Sequence, residues 1–518
     1  MPSLSLKTPS PPAQLQVRDL DWTPTIWILL VVVCGALFLD GLDLSMIGVA
    51  LPSIGKALHL STGSLQWIVS GYVLGYGSFM LLGGRTSDLI SRRTVFLTAV
   101  SVFGVASVIS GLLSSEPALV ALRFIKGASA GFTVPAGMSI LATTFAEGPA
   151  RNRAFGVYTL CGASGFSLGL VFGGLLTELG WRAPLLMPGP VALALVAAGW
   201  RVIPQARRSA FSLRSFDLLG ALTATAALLL LVYAVVEAPA HGWASASTLA
   251  CLVSSAILMA GFVAIEQRHP RPLLRLGILR SSALVHANVA AAAMFGSYVA
   301  FQFLVTLYVQ DSLGWTPIGM ALAFLPAGLI VVASGLRIDR LIARVPTPVI
   351  ILGGLVAFVA GYGLFLRATP GMSYVQFLLP TMLLIGIGFG LCFAAINAQA
   401  TGGVADEEQG LASGLVNTSL QIGGAVVLAV VTAILGHTGA AVHDQMLPGT
   451  HTAIAVVIGV SGVAMLFTLA HLYRTRPAAL TAAAERELAA PAAAPGFAAP
   501  AVEPELAARP AELCEVCS

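Results

Sequence analysis

Apolar stretches of about 20 residues, divided by short polar or Gly/Pro punctuation, recur along most of the chain, and a stretch of that length is what a transmembrane helix needs. Fourteen are expected, at roughly 26–52, 66–84, 94–114, 117–145, 154–177, 183–203, 216–237, 246–266, 284–309, 317–336, 347–366, 374–399, 410–436 and 452–473. The longest of these imply tilt or interfacial ends. The pattern predicts an all-α, multi-pass integral membrane protein. The placement of cations tests the count, because cytoplasmic loops collect Lys and Arg. With both termini cytoplasmic, 22 of the 27 Lys and Arg residues fall in inner loops and tails. Only Lys56, Arg182 and Arg367 fall outside, and Arg123 and Lys126 lie within span 4. A miscounted span would invert every later loop and destroy that bias.

Composition agrees. The 518 residues are 57% hydrophobic and 10% charged, with a mean hydropathy of +0.89, whereas soluble domains carry about 25% charged residues. Residues 1–24 are polar and contain Pro9, Pro11 and Pro12. They lack the basic start, short apolar core and cleavage site of a secretory signal, so the first span is expected to remain as an anchor. From Arg474 the chain turns rich in Ala, Pro and Glu, which reads as a disordered cytoplasmic tail over 474–518. Cys34, Cys161, Cys251 and Cys392 sit in apolar segments as small hydrophobes, and the lone CxxC at Cys514 and Cys517 is a weak metal or redox signal. No GxxxxGK loop occurs and there are only three lysines, so neither ATP nor nucleic acid is an expected partner. The scattered histidines predict no metal site, and nothing predicts an enzyme or a cofactor. Asn417-Thr418-Ser419 fits the glycosylation triplet but lies inside span 13.

An internal repeat organises the spans. After span 2 the chain reads Gly84-Arg85-Thr86-Ser87-Asp88-Leu89-Ile90-Ser91-Arg92-Arg93, and after span 10 Gly335-Leu336-Arg337-Ile338-Asp339-Arg340. Both put an Asp four residues after a Gly, with Arg following, in an expected short cytoplasmic turn. Two spans further along each half come Gly127 and Gly131 in span 4, and Gly386 and Gly390 in span 12. Small residues four apart let helix backbones approach closely. The expected domains are a six-helix half at 25–203, two inserted helices with flanking loops at 204–280, and a second six-helix half at 281–473. Halves of this kind rock about a substrate site near the bilayer midplane.

These motifs resemble the fourteen-span drug:proton antiporter branch of the major facilitator superfamily, over roughly residues 25–475. Gly84, Asp88, Arg92 and Arg93 match that superfamily's latch loop, while Thr86, Leu89 and Ser91 replace the usual Leu, basic residue and Gly. Leu42-Asp43-Leu44-Ser45 through Ala50-Leu51-Pro52 resembles the branch's span-1 motif, with Ser45 for Thr and Gly48 for Asn. Arg123 to Gly127 resembles R-x-x-Q-G, with Lys126 for Gln. Gly165, Gly169, Gly173 and Gly174 match the antiporter motif, with Leu170 in place of its Pro. Asn417, Thr418, Gln421, Gly423 and Gly424 look like the branch's span-13 motif. The resemblance implies proton-coupled export of a drug or antibiotic by alternating access. It makes Asp43 a candidate proton carrier assisted by Arg123, and Gly84, Asp88, Arg92, Arg93, Gly335 and Asp339 a conformational latch.

The residues themselves leave alternatives. Two cations inside a span cost roughly 2.5 to 3.5 kcal/mol each even on lenient insertion scales, so a partner is expected, and Asp40 and Asp43 in span 1 are available. Asp43 is either the titrating group or half of a static charge pair; Asp40, one turn earlier, either shares its role or is solvated. Lys126 either favours anionic substrates or snorkels toward water. Glu237 reads as a boundary residue. His286, Asn288, Tyr298, Gln302, Asn417 and Gln421 either face a substrate cavity or join helices. The expected protein is a monomeric transporter of the bacterial plasma membrane, driven by a proton gradient, with a small organic substrate, protons and lipid as partners. An uptake symporter, which the missing proline at Leu170 favours, and a non-transporting sensor or scaffold are the rivals.

Overall fold

The computed structural model describes residues 23–145, 148–205, 217–269, 276–335, 337–367, 373–402, 404, 409–436 and 449–489. Its regular elements are helices. They are α1 (Pro24–Leu58), α2 (Thr62–Leu89), α3 (Arg92–Leu112), α4 (Glu116–Thr144), α5 (Pro149–Leu179), α6 (Ala183–Leu186), α7 (Pro188–Val202), α8 (Leu218–His241) and α9 (Ala246–Arg268). They continue with α10 (Ser282–Leu307), α11 (Pro317–Gly335), α12 (Ile338–Ile342), α13 (Thr347–Phe365), α14 (Tyr374–Thr401), α15 (Gln409–Gly436) and α16 (Thr450–Ala489). Twelve helices among the described residues are long and apolar enough to cross a bilayer. The two expected spans outside that set are α2 and α4, and α4 is the one that carries Arg123 and Lys126.

Local sequence explains where helices start and stop. Ser61, Ser91, Asp217, Ser245 and Ser281 each accept a backbone N–H of the first turn of the helix that follows, satisfying donors that a helix start leaves free. Expected span 6 is interrupted at Pro188, whose ring nitrogen cannot donate to the carbonyl four residues back, so it divides into α6 and α7. The stretch Gly84 to Leu89, expected as a turn, is the end of α2. Nothing there breaks a helix: Thr86 Oγ1 and Ser87 Oγ fold back onto the carbonyls of Leu82 (2.7 Å) and Gly83 (3.1 Å). In the second copy Gly335 ends α11 and Asp339 lies in the separate short helix α12. The chain divides into two compact units, Met1–Leu472 and Tyr473–Ser518. The last helix runs past the expected start of a disordered tail, through an alanine-rich stretch that favours helix.

Packing repeats. In the first part of the chain α1 packs on α5, and α4 on α2 and α3; further along, α10 packs on α15, and α14 on α11 and α13. The glycine pairs do equivalent work in each set. A Cβ on Gly127 would meet the Tyr72 carbonyl oxygen, and one on Gly131 would come 2.9 Å from the Tyr76 carbonyl oxygen, both on α2. Gly386 similarly faces Ala327 and Gly390 faces Ser334, both on α11. Two further contacts, α2 with α15 and α5 with α11, join the sets, α8 lies against α2 and α15, and α9 packs on α8. Large apolar side chains such as Val31, Leu112, Leu249 and Ile257 point outward and are exposed. Apolar surface on that scale suits lipid rather than water.

Gly127→Ala is expected to destabilise the protein by about 1–3 kcal/mol or more, because the new methyl has only α2 backbone to displace. Gly363→Ala, where nothing lies within 4 Å, is the control. Thermal unfolding of detergent-purified protein checks the difference, and equal melting temperatures would refute the close α2–α4 contact.

Candidate functional site

The site begins with two pairs spaced three residues apart, Asp40 and Asp43 on α1 and Arg123 and Lys126 on α4, so each pair shares a helix face. Arg123 Nη1 donates to Asp43 Oδ2, and Lys126 Nζ donates to Asp43 Oδ1. All three side chains are completely buried. Neighbouring helices complete the cluster. Arg123 Nε donates to the Ile68 carbonyl at 3.0 Å, and its guanidinium lies 4.6 Å from the centre of the Tyr72 ring. Lys126 Nζ also donates to Ser107 Oγ at 3.1 Å, and that hydroxyl donates to the Leu185 carbonyl at 2.6 Å. The Phe103 ring lies 4.7 Å from Nζ. Asp43 therefore ties α1 to α4, and the two cations extend the tie to α2, α3 and α6.

Burying an ion costs several kcal/mol unless geometry and hydrogen bonds compensate. Here each carboxylate oxygen receives one cation, an arrangement that satisfies Asp43. Two buried atoms in the cluster lack a hydrogen-bond partner, Arg123 Nη2 and Asp40 Oδ2. Asp40 is 5% exposed. One anion facing two cations leaves one positive charge in excess, and ionised Asp40 would balance it.

A model described as Major Facilitator Superfamily matches residues 33–428. The chain belongs to that superfamily. It is 35% identical to the puromycin resistance protein pur8 of Streptomyces alboniger over 456 residues, covering 84% of this chain and 89% of the relative. It is also 35% identical to the cephamycin export protein CmcT of Amycolatopsis lactamdurans (80% and 86% covered). A third relative, 30% identical, is the lincomycin resistance protein of Streptomyces lincolnensis (90% and 93%). The fold is similar to that of the POT family transporter PepTSo, with a TM-score of 0.64 at 15% identity, covering 86% of this chain and 98% of that one.

As a major facilitator, the chain places its other candidate residues unevenly. The glycines of the α5 motif make close seams: Gly165 meets the Phe38 carbonyl, Gly169 meets Leu42 and Ser45, and Gly173 meets Met46, all on α1. Gly174 faces the other way, toward Ala321 and Pro317 of α11. Leu170, in place of the motif's proline, is buried in an unbroken α5. Lys126 neither snorkels nor faces an opening, since Asp43 holds it. Asn288 bonds to the Leu284 carbonyl (2.8 Å) and accepts from Ser419 (2.8 Å), and Asn417 bonds to the Ser413 carbonyl (3.0 Å), so both spend donors on their own helices. Gln302 Nε2 and Gln421 Oε1 are buried without partners. Gln302 Nε2 faces Gly48 of α1, and Gln421 faces Gly77 of α2. His286 bonds to Thr468 (2.9 Å) and Gln399 (2.7 Å), while Glu237 accepts from Trp67 Nε1 at 2.7 Å and pairs with His241 at 2.9 Å. Of the residues expected to form a latch, Arg93 donates to the Trp200 carbonyl at 2.5 Å. Gly84 ends near Pro135 and Gly335 near Leu160, and Arg92 opens α3. The side chains of Asp88 and Asp339, and Cys514 and Cys517, lie outside the described residues.

Sequence reasoning missed Ser107, Tyr72 and the pair Lys56–Asp311, whose atoms lie 3.1 Å apart and join the end of α1 to the π-helical turn Tyr308–Ser312 that follows α10. In that turn Gln310 Nε2 donates to the Val49 carbonyl at 2.9 Å. No spacing rule links positions on different helices, so only a signal such as an acid beside a widened turn was there to find.

Asp43→Asn leaves two buried cations against a neutral amide and is expected to cost about 3–5 kcal/mol, the scale of a broken buried pair. Lys126→Gln keeps the Asp43–Arg123 pair and should cost clearly less. Adding Lys126→Gln to Asp43→Asn should recover part of the loss. Melting temperatures of the three purified variants check the order, and a double variant no more stable than Asp43→Asn would contradict the charge argument.

Proposed function

We propose that this major facilitator is a proton-driven exporter of an antibiotic or similar organic compound across a bacterial plasma membrane. The observation that carries the reading is Asp43, fully buried and shared by Arg123 and Lys126, with Asp40 one turn away. An acid–base cluster of that kind is costly inside a membrane and finds its use in proton relays. The resistance and export relatives support the cargo class, with puromycin, cephamycin and lincomycin as the chemical range. The driving force is adequate. A membrane potential supplies about 2.3 kcal/mol per charge per 100 mV, and each pH unit adds about 1.4.

The proposed topology has fourteen spans with both termini cytoplasmic. At 28 and 29 residues, α2 and α4 extend about 42 Å and 44 Å, enough to cross a core of about 30 Å. The repeated pairings of α1–α5 and α10–α15, and of α2–α4 and α11–α14, support two six-helix halves that rock about the α2–α15 and α5–α11 contacts. The inserted helices α8 and α9 then pack outside this core. Asp40, Asp43 and Arg123 couple the proton, and Gln302 and Gln421, with free polar atoms, line the cargo path with Lys126, Asn288 and Asn417 behind them. Lys56–Asp311 and Gln310 close the outer ends of the halves in this state. A single chain suffices for all of these roles.

Energised cells expressing the protein should expel ethidium or puromycin faster than cells with empty vector, and a protonophore should abolish the difference. Asp43→Asn, at equal membrane abundance, should reduce efflux to the vector level. Efflux no faster than the vector would sink drug export and turn attention to uptake. Lys56→Cys with Asp311→Cys, joined by a short bifunctional thiol reagent in a cysteine-depleted background, should arrest efflux, and continued efflux would show that alternation does not open there.

A further inference from the structure

The four ionisable side chains of the α1–α4 cluster are not equivalent. Asp43 gives one oxygen to each cation and has no exposure. Asp40 has slight exposure, and its Oδ2 is buried without a donor. The titratable and charged groups around Asp40 are Asp43 on its own helix, Tyr72 and Tyr76 on α2, Arg123 and Lys126 on α4, and Tyr158 on α5. Arg123, Lys126, Tyr72 and Tyr158 each direct a donor elsewhere. Both cations bond to Asp43, and the Tyr158 hydroxyl donates to the Val134 carbonyl at 3.1 Å. The Tyr72 hydroxyl reaches the backbone carbonyl of Asp40 at 3.4 Å, not its carboxyl. A buried carboxylate oxygen with no donor is costly, and a neutral carboxyl is much less so. The other unpartnered atom of the cluster is a donor, Arg123 Nη2. One acceptor and one donor are thus left over in the same cluster.

Resting on the export reading above, we propose that Asp40 is the residue that carries the exchanged proton, while Asp43 is a permanently ionised anchor that positions Arg123 and Lys126. In the state seen here Asp40 is neutral, and two cations face one anion. When its O–H bond breaks, the proton leaves to water and the electron pair stays on the carboxylate. Two anions then face two cations, and Asp40 can take a donor, with Arg123 Nη2 free to supply it. Because Asp40 and Asp43 are one turn apart on α1, sharing the cations between them changes how α1 sits against α4. Proton loading reverses the step. An element with two discrete arrangements biased by a proton is what coupling requires.

Infrared spectroscopy of the purified protein in lipid nanodiscs locates the proton without any cargo. The wild type near neutral pH should show a protonated-carboxyl stretch that shifts in heavy water and that Asp40→Asn removes. A band absent from the wild type, or one that survives Asp40→Asn, overturns the assignment. Transport in proteoliposomes, with puromycin as the probe, tests the carrying role. Under a one-unit pH gradient the wild type should accumulate puromycin by about tenfold for each proton exchanged. Asp40→Asn should lose that accumulation yet keep puromycin exchange in the absence of a gradient, and Asp40→Glu should regain it. Gradient-driven accumulation by Asp40→Asn equal to the wild type's overturns the proposal. A wild type that moves no puromycin under a gradient sinks the export reading instead, and the infrared arm still decides whether Asp40 holds the proton.

Discussion

A carboxylate shared by two buried cations is the constraint on which the first part of this molecule depends. Once Arg123 and Lys126 stand inside α4, the chain must supply an anion at the same depth, and α1 supplies it at Asp43. The need for desolvated charges to meet is strong enough to fix the register of α1 against α4. It also recruits the groups that finish the job, namely the Ile68 carbonyl, the Tyr72 face and the Ser107 hydroxyl. Removing any one of the three charged groups leaves the other two facing hydrocarbon or each other.

Close helix seams bring those charges within reach. Between helices in a bilayer there is little hydrophobic driving force, so association relies on contact at short range. Glycines on α5 let α1 approach, and glycines on α4 let α2 approach. The same device recurs where Gly386 and Gly390 of α14 meet α11. Gly174 differs from its neighbours in the α5 motif, since it faces α11 rather than α1. One short motif therefore serves a contact within the first set of helices and a contact between sets. That double duty explains why four glycines crowd into so short a stretch.

Contacts between the sets are of two kinds. Broad helix packing joins α2 to α15 and α5 to α11. A thin polar link joins the end of α1 to the turn after α10, through Lys56, Asp311 and Gln310. Lys56 is largely exposed, and an ion pair of that sort is worth at most about 1 kcal/mol. Weak links of this kind open readily, whereas the packed seams resist.

The sequence by itself determined the all-helical membrane architecture, the place of most helices along the chain and the superfamily. Hydropathy runs, cation bias and glycine spacing are local or one-dimensional signals, and a bilayer forces them to be legible because every backbone group must be satisfied within the helix. It also marked Asp40, Asp43, Arg123 and Lys126 as anomalous, since charge inside an apolar run is visible wherever it falls. What it left open was pairing. Lys126 could have faced cargo or water, and Asn288 and Asn417 could have reached across helices, yet Lys126 is held by Asp43, Asn417 bonds along its own helix, and Asn288 bonds both along α10 and across to Ser419 of α15. Nor did it reveal that Gly84 to Leu89 continues α2, because a polar stretch reads as a turn until helix hydrogen bonds are seen to run through it. Those outcomes depend on the depth and rotation of one helix against another, which side-chain packing sets and no spacing along the chain records.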